Sequence, residues 1–237
     1  MAFGGTCSGI CPRSVSWRIR LAAVIFITFP GFAQAEAKFE TAAIHLEQNL
    51  RDRDAEVKIE AVGADEGFTA LKITAPDGRT VIDFKAPDSS VGIRNLTFES
   101  PEPKDIQRIK SDFPPGTYKF SGSFASGARA DGEAVLGHEF PEAASVIHPP
   151  PDQSGIPVGG LIVRWRPVKN VSAFVVTIEQ DHSTREIRAN LDGGTTSFAV
   201  PSGFLVPGKE YTLAIGALSK GGNISFVETA FTTATKK

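Results

Sequence analysis

From residue 38 onward the chain alternates apolar and polar residues in short runs, each closed by Gly, Pro, Asp or Ser. That is the pattern of strands buried on one face. Val57, Ile59 and Ala61 alternate, as do Leu71 with Ile73 and Ile82 with Phe84. Pro76-Asp77-Gly78-Arg79 lies between the last two pairs. Proline presets φ and glycine takes the left-handed position of a turn, which predicts a hairpin of residues 68–75 with 80–85. Tyr118, Phe120 and Phe124 face Ala134 and Leu136 across SGARADG, a second predicted hairpin. Ile93, Leu96 and Phe98 predict a strand over 91–98. One stretch changes period. Ile106, Ile109 and Phe113 fall at i, i+3 and i+7, a helical face, and Pro114-Pro115-Gly116 ends it. A single short helix crossing between sheets is predicted there.

The second half repeats the strand pattern. Leu161, Val163 and Trp165 alternate, and Phe174 to Ile178 form an apolar run. Residues 185–191 are a more polar strand, and Thr196, Phe198 and Val200 alternate up to Pro201. Leu205 to Tyr211 leads into Leu213, Ile215 and Ala217, and Gly221-Gly222-Asn223 turns into a last strand over 224–233. Between the halves, residues 139–160 are dense in proline and glycine. Pro149 to Pro151 cannot sit inside a helix or a central strand. They predict a boundary near residue 143, with the proline stretch leading into the second domain. Alternating strands hide their apolar faces by stacking as two sheets. The expected fold is all-β: two β-sandwich domains in tandem, 36–142 with one short helix and 143–237.

The motifs of 145–235 resemble a fibronectin type III domain. They are Leu161-x-Val163-x-Trp165 followed by Pro167-Val168, then Phe174 opening the next strand, then Leu205-x-Pro207-Gly208-x-x-Tyr211. The resemblance implies an immunoglobulin-like sandwich whose structural core takes in Trp165, Phe174, Leu205, Pro207, Gly208 and Tyr211. It also implies a tyrosine corner, in which the Tyr211 hydroxyl bonds backbone near the preceding turn. Such domains are mostly spacers and interaction modules. The first half, through FPPGTYKFSGSFASGARADGEAVLGHEFP, is similar to sandwich modules that precede such domains in exported bacterial proteins. Arg129-Ala130-Asp131 is one residue away from an RGD motif, but it stands in the other domain and carries no weight.

The N-terminus adds an address. Arg13, Arg18 and Arg20 precede the apolar run Leu21 to Phe29, Pro30-Gly31 breaks it, and Ala33-Gln34-Ala35 follows. This order is that of a cleavable secretory signal, with the cut between Ala35 and Glu36. The run falls short of the roughly 20 residues that span a bilayer. Cleavage would remove Cys7, Cys11, Trp17 and Met1, leaving no sulfur and a single Trp. Losing three arginines and no acid would take the formal charge from −2 to −5. A mildly acidic chain without a basic cluster does not suit nucleic acid or an anionic membrane. No later stretch, including FVETAFTTATKK, is apolar enough for an anchor, so no stable membrane insertion is expected after signal removal.

Few residues offer chemistry. His45, His138, His148 and His182 show no metal-ligand spacing, though His138 and His148 could meet at the domain junction. No Gly-x-Ser-x-Gly elbow is present, and Gly159-Gly160 and Gly193-Gly194 read as turns. Asp52, Asp54 and Glu56 could hold calcium as alternate carboxylates, but Arg51 and Arg53 interleave with them and predict a salt-bridged loop. Asp65 and Glu66 follow. Sugar binding wants exposed rings, and the chain after residue 35 has only Trp165, Tyr118 and Tyr211, two of them assigned to the core. Strand 117–124 with its partner 132–139 could offer an exposed edge, with Lys119, Ser121 and Ser123 protecting it. No catalytic residue, metal site or cofactor is expected. The expected role is an exported, non-enzymatic protein, periplasmic or extracellular and soluble, that binds a protein partner. A structural spacer in an envelope assembly is the alternative, followed by a hydrolase with a carboxylate site in the first domain.

Overall fold

The computed structural model describes Met1 and residues 37–235 apart from 64, 66 and 89. The signal segment, its cleavage pair Ala35 and Glu36, and Glu66 therefore lie outside the described residues. The chain from residue 37 falls in one compact unit. The first half holds β1 (Thr41–Asn49), β2 (Asp54–Val62), β3 (Phe68–Thr74), β4 (Thr80–Lys85), β5 (Asn95–Glu99), α1 (Ile106–Asp112), β6 (Gly116–Phe124) and β7 (Arg129–Leu136). The second holds β8 (Val146–His148), β9 (Gln153–Ile156), β10 (Ile162–Trp165), β11 (Val171–Gln180), β12 (Glu186–Asp192), β13 (Ser197–Ala199), β14 (Glu210–Ser219) and β15 (Ile224–Thr233). The fold is all-β, with a single short helix among the described residues.

Local signals act as the sequence suggests. In the turn between β3 and β4, Gly78 takes φ 86° and the Asp77 carboxylate accepts the Arg79 N–H at 2.9 Å. Asp105 caps α1 by accepting from the Gln107 N–H at 3.0 Å. Ile109 and Phe113 then plug the first core, with Phe113 packed against Phe98 at 6.4 Å between ring centres.

Three sheets build two sandwiches. One sheet runs β4-β3-β6-β7, another β13-β10-β8, and the largest runs β12-β11-β14-β15-β1-β2-β5 with β9 also on β15. Pairing is antiparallel except where β15 meets β1 and β9 in parallel. The parallel β1–β15 contact makes one sheet common to both halves. Gln48 and Ser225 are register partners there and point the same way, with Gln48 Nε2 donating to Ser225 Oγ at 2.7 Å. Ile44 and Leu46 share the face of Gln48 and lie in the first core. Val227 and Phe231 share the face of Ser225 and belong to the second. Both cores therefore lie on one side of the shared sheet.

Residues 137–141 cross that junction and are tied to it by two buried side chains of β15 and its lead-in. Asn223 Nδ2 donates to the carbonyls of Gly137 (3.0 Å) and Glu139 (2.9 Å), while Asn223 Oδ1 accepts the buried Leu46 N–H at 2.8 Å. Ser225 Oγ donates to the Pro141 carbonyl at 2.7 Å.

Several expectations need correction. Strand β1 was not visible in the pattern. The strand over 91–98 is β5 and begins later, because Ile93 is drawn into an isolated bridge with Phe68. Strand β6 is central, between β3 and β7, so Lys119, Ser121 and Ser123 protect no edge. Arg129-Ala130-Asp131 lies on strand β7 rather than in a loop.

Candidate binding face

The second sandwich sets the frame. Trp165 is buried with its ring 5.4 Å from that of Phe174, and Leu205 is buried beside them. The indole Nε1 of Trp165 has no hydrogen-bond partner. The Tyr211 ring stacks on Phe231 at 5.4 Å, and its hydroxyl accepts the Val206 N–H at 2.8 Å and donates to Gln180 Oε1 at 3.2 Å. This is the geometry of a tyrosine corner. Pro207 is half-buried and Gly208 is exposed at φ 66°, so both shape the turn and neither belongs to the packed interior. Tyr211→Phe is expected to cost about 0.5–1.5 kcal/mol, the usual net worth of a buried hydrogen bond. An unchanged urea midpoint in that variant would remove the corner from the list of stabilising contacts.

The other side of the shared sheet carries no second strand layer among the described residues, and acidic residues collect on it. Glu47 of β1 stands directly opposite Glu56 of β2, and His45 opposite Lys58. His45 Nε2 and Glu47 Oε1 are 2.8 Å apart. Lys58 Nζ lies 3.6 Å from Glu47 Oε1 and 2.8 Å from Glu99 Oε1 on β5. Strands of the second half continue the face with Thr177 and Glu179 of β11, Arg188 of β12 and Glu228 of β15. Glu47 and Glu56 of the first half and Thr177, Glu179, Arg188 and Glu228 of the second line a cleft of about 230 Å³ that also takes in Asp52, Asp54 and Glu102. A small apolar patch adjoins it, where Phe226 lies so close over Gly216 that a Cβ there would meet the ring at 2.5 Å.

The carboxylates are unevenly held. Burial pushes Glu56 up to about 7, helped by Glu47, Glu99 and Glu102 and opposed by Lys58. Burial also raises Glu228, with Asp52 adding to it and Arg51 opposing. In Glu47 burial is outweighed by the His45 hydrogen bond and the Lys58 charge, which hold it below its ordinary value. Lys58 is raised despite burial, by its bonds to Glu99 and the charge of Glu47. Glu56 binds its proton more tightly folded than unfolded, so its stabilising contribution is full below its ordinary 4.5 and is lost as pH rises through about 7. Glu47 acts in the opposite sense at lower pH. Thermal midpoints are therefore expected to fall between pH 5 and pH 8, and Glu56→Gln to flatten that fall. An equal slope in both proteins would contradict the assignment.

The remaining candidates take simple places. Asp52, Asp54 and Glu56 share the cleft, but among the described residues no three His, Asp or Glu side chains converge as metal ligands. Among the described residues no ion pair joins Arg51 or Arg53 to them; Asp52 lies in the turn before β2, and Asp54 and Glu56 belong to β2 itself. His138 Nε2 is 2.8 Å from the Phe113 carbonyl. His182 sits in a turn at φ 55°. Tyr118 is fully buried, its hydroxyl donating to the Pro114 carbonyl at 3.0 Å, and burial raises it to about 12. All three large rings that could stack on a sugar are thus inside the cores. Sequence reasoning considered His45 only as a metal ligand and missed Glu47, Lys58, Arg188 and Glu228, which only the shared sheet brings together with it.

No family model matches the chain, and no curated protein matches it. Among solved structures, similar ones include the FN1–FN3 domains of chicken CNTN1, at 12% identity and a TM-score of 0.35, covering 84% of this chain and 65% of that one. A two-domain fibronectin type III segment of chicken tenascin is similar at 13% identity and a TM-score of 0.31, covering 84% and 98%. Fibronectin(III)-like modules of Clostridium thermocellum CbhA are similar at 9% identity and a TM-score of 0.34, covering 84% and 94%. The structural neighbours are fibronectin type III structures.

Proposed function

We propose that this chain is an exported, non-enzymatic protein that binds a protein partner through the open acidic face of its shared sheet. Cleavage between Ala35 and Glu36 would release it, soluble, into the periplasm or the exterior, with its two sandwiches meeting near residue 143. The observation that carries the reading is the one-sided stacking of both cores, which leaves carboxylates of both halves on a common uncovered surface. A surface of this charge fits a partner with a basic patch, and complementary charge sets both encounter rate and specificity. Among the described residues no helix is long and apolar enough to cross a membrane.

The test is capture from an envelope extract by the mature chain, beside a Glu179→Lys/Glu228→Lys variant. A partner retained by the first, released by salt and absent from the second supports the reading. Identical retention by both contradicts it.

A hydrolase reading has one observation in its favour. Glu47 and Glu56 are paired across two strands with their proton affinities driven apart, the arrangement in which one carboxyl donates a proton and the other remains charged. Turnover of aryl glycosides by the mature chain, abolished by Glu56→Gln, would establish it in place of the binding role.

A further inference from the structure

The shared sheet ends at β5, and this end has two features that fit together. The first is an unpaired edge. Ser100 N donates to the Val57 carbonyl at 3.0 Å and Gly63 N to the Arg94 carbonyl at 2.9 Å. These bonds bracket the β2–β5 register, in which Ile59 opposes Phe98 and Ala61 opposes Leu96. In an antiparallel ladder every second residue pair exchanges both bonds. Leu96 and Phe98 therefore spend their backbone groups on β2, and the N–H and C=O of Asn95, Thr97 and Glu99 point outward. No strand pairs with that side among the described residues.

The second feature is an apolar groove of about 420 Å³ beside the same strand. Phe98, Pro101, Pro103, Ile109 and Phe113 line it, and Arg79 and Arg108 stand at the rim. Both arginines are already engaged, Arg79 with the Asp112 carbonyl and Arg108 with the Asp112 carboxylate at 3.6 Å. The groove lies on the core side of β5, with Phe98. The opposite side of β5 presents Glu99, and Glu102 lines both the groove and the acidic cleft.

We propose that β5 accepts an extended segment of the partner as an added strand, with apolar residues seated in the groove and alternate basic residues set against Glu99 and Glu102. Strand addition draws affinity from main-chain bonds and selectivity from pockets for alternate side chains, and both elements are present here. The alternation required of the segment follows from the two faces of β5. The inference rests on the binding reading above, and it specifies how one segment of the partner docks.

The probe is a capped peptide of about six residues, one strand in length, alternating valine and lysine. A second peptide of the same sequence is N-methylated at alternate residues along its bonding edge. Amide hydrogen exchange is followed on the mature chain. In the free protein Leu96 and Phe98 should be protected, and Asn95, Thr97 and Glu99 should exchange quickly. With the first peptide the latter three should slow by about tenfold or more, and with the methylated peptide they should not. Thr97→Pro removes an outward donor while sparing the β2 ladder, so it should abolish the protection, whereas Thr97→Val should keep it. If Thr97→Pro fails to fold, the methylated peptide makes the same comparison.

Absence of binding overturns the proposal, and so does binding that leaves Asn95, Thr97 and Glu99 unprotected. Contact of the peptide with the Glu47–Glu228 face alone would overturn strand addition and leave the binding role standing. A partner captured from extract equally well by wild type and Thr97→Pro would do the same. Failure of the wild-type chain to capture any partner would instead count against the binding role itself.

Discussion

Trp165→Ala is expected to destabilise the protein by about 3–5 kcal/mol, the range for deleting a large ring from a packed core. Trp165 is 1% exposed and lies between the sheets of the second sandwich against Phe174. Its indole N–H has no partner, so the loss is one of packing and cavity formation without a lost hydrogen bond. Trp165→Phe should then recover a large share of the difference, because it restores most of the ring volume. Urea unfolding followed by circular dichroism measures both. A loss below about 1 kcal/mol in Trp165→Ala would be typical of a surface substitution and would contradict the placement. Since β1 and β15 join the two halves in one sheet, the variant should still unfold in a single transition.

Asn223→Ala is expected to cost about 2–3 kcal/mol, for a different reason. Its amide satisfies three backbone groups from two segments: Leu46 N–H on β1, and Gly137 C=O and Glu139 C=O in the crossing stretch. Leu46 is fully buried, so its N–H would be left without a partner and water could not replace it. The two carbonyls belong to exposed residues and would recover solvent at little cost. Asn223→Asp keeps the acceptor for Leu46 and loses both donors, so it separates the two contributions. The Asn223→Ala variant should also broaden the transition or split it, with Trp165 emission reporting the second half alone. A midpoint within experimental error of wild type would show that the junction does not depend on this amide.

Much of the fold was legible because its signals are local. The Pro76-Asp77-Gly78 turn, the helical face of Ile109 and Phe113, and the corner around Pro207-Gly208 and Tyr211 each rest on neighbouring residues. Strand β1 was hidden for two reasons. Ala42, Ala43, Leu46, Glu47 and Gln48 are good helix formers, and only Ile44 and Leu46 mark an alternation. Its partner β15 lies at the far end of the chain, and a parallel pairing over that distance leaves no turn signature. The acidic face depended on this pairing. Asp52, Asp54 and Glu56 read as a loop with interleaved arginines, whereas β2 begins at Asp54 and turns Glu56 toward Glu47. Glu228 and Arg188 belong to the other half and gave no motif of their own. Asn223 looked like one residue of a Gly-Gly-Asn turn, and its role as a junction tie needed the contact with Leu46.

The binding role turns on whether one partner covers carboxylates from both halves at once. Hydrogen-exchange footprinting of the mature chain with the partner captured from extract measures this directly. Protection is predicted to appear together over 54–62 and 95–99 in the first half and over 175–179 and 226–230 in the second, and to weaken in the Glu179→Lys/Glu228→Lys variant. A footprint confined to the loops at the sandwich ends, or to the outer face of β8, β10 and β13, would contradict it.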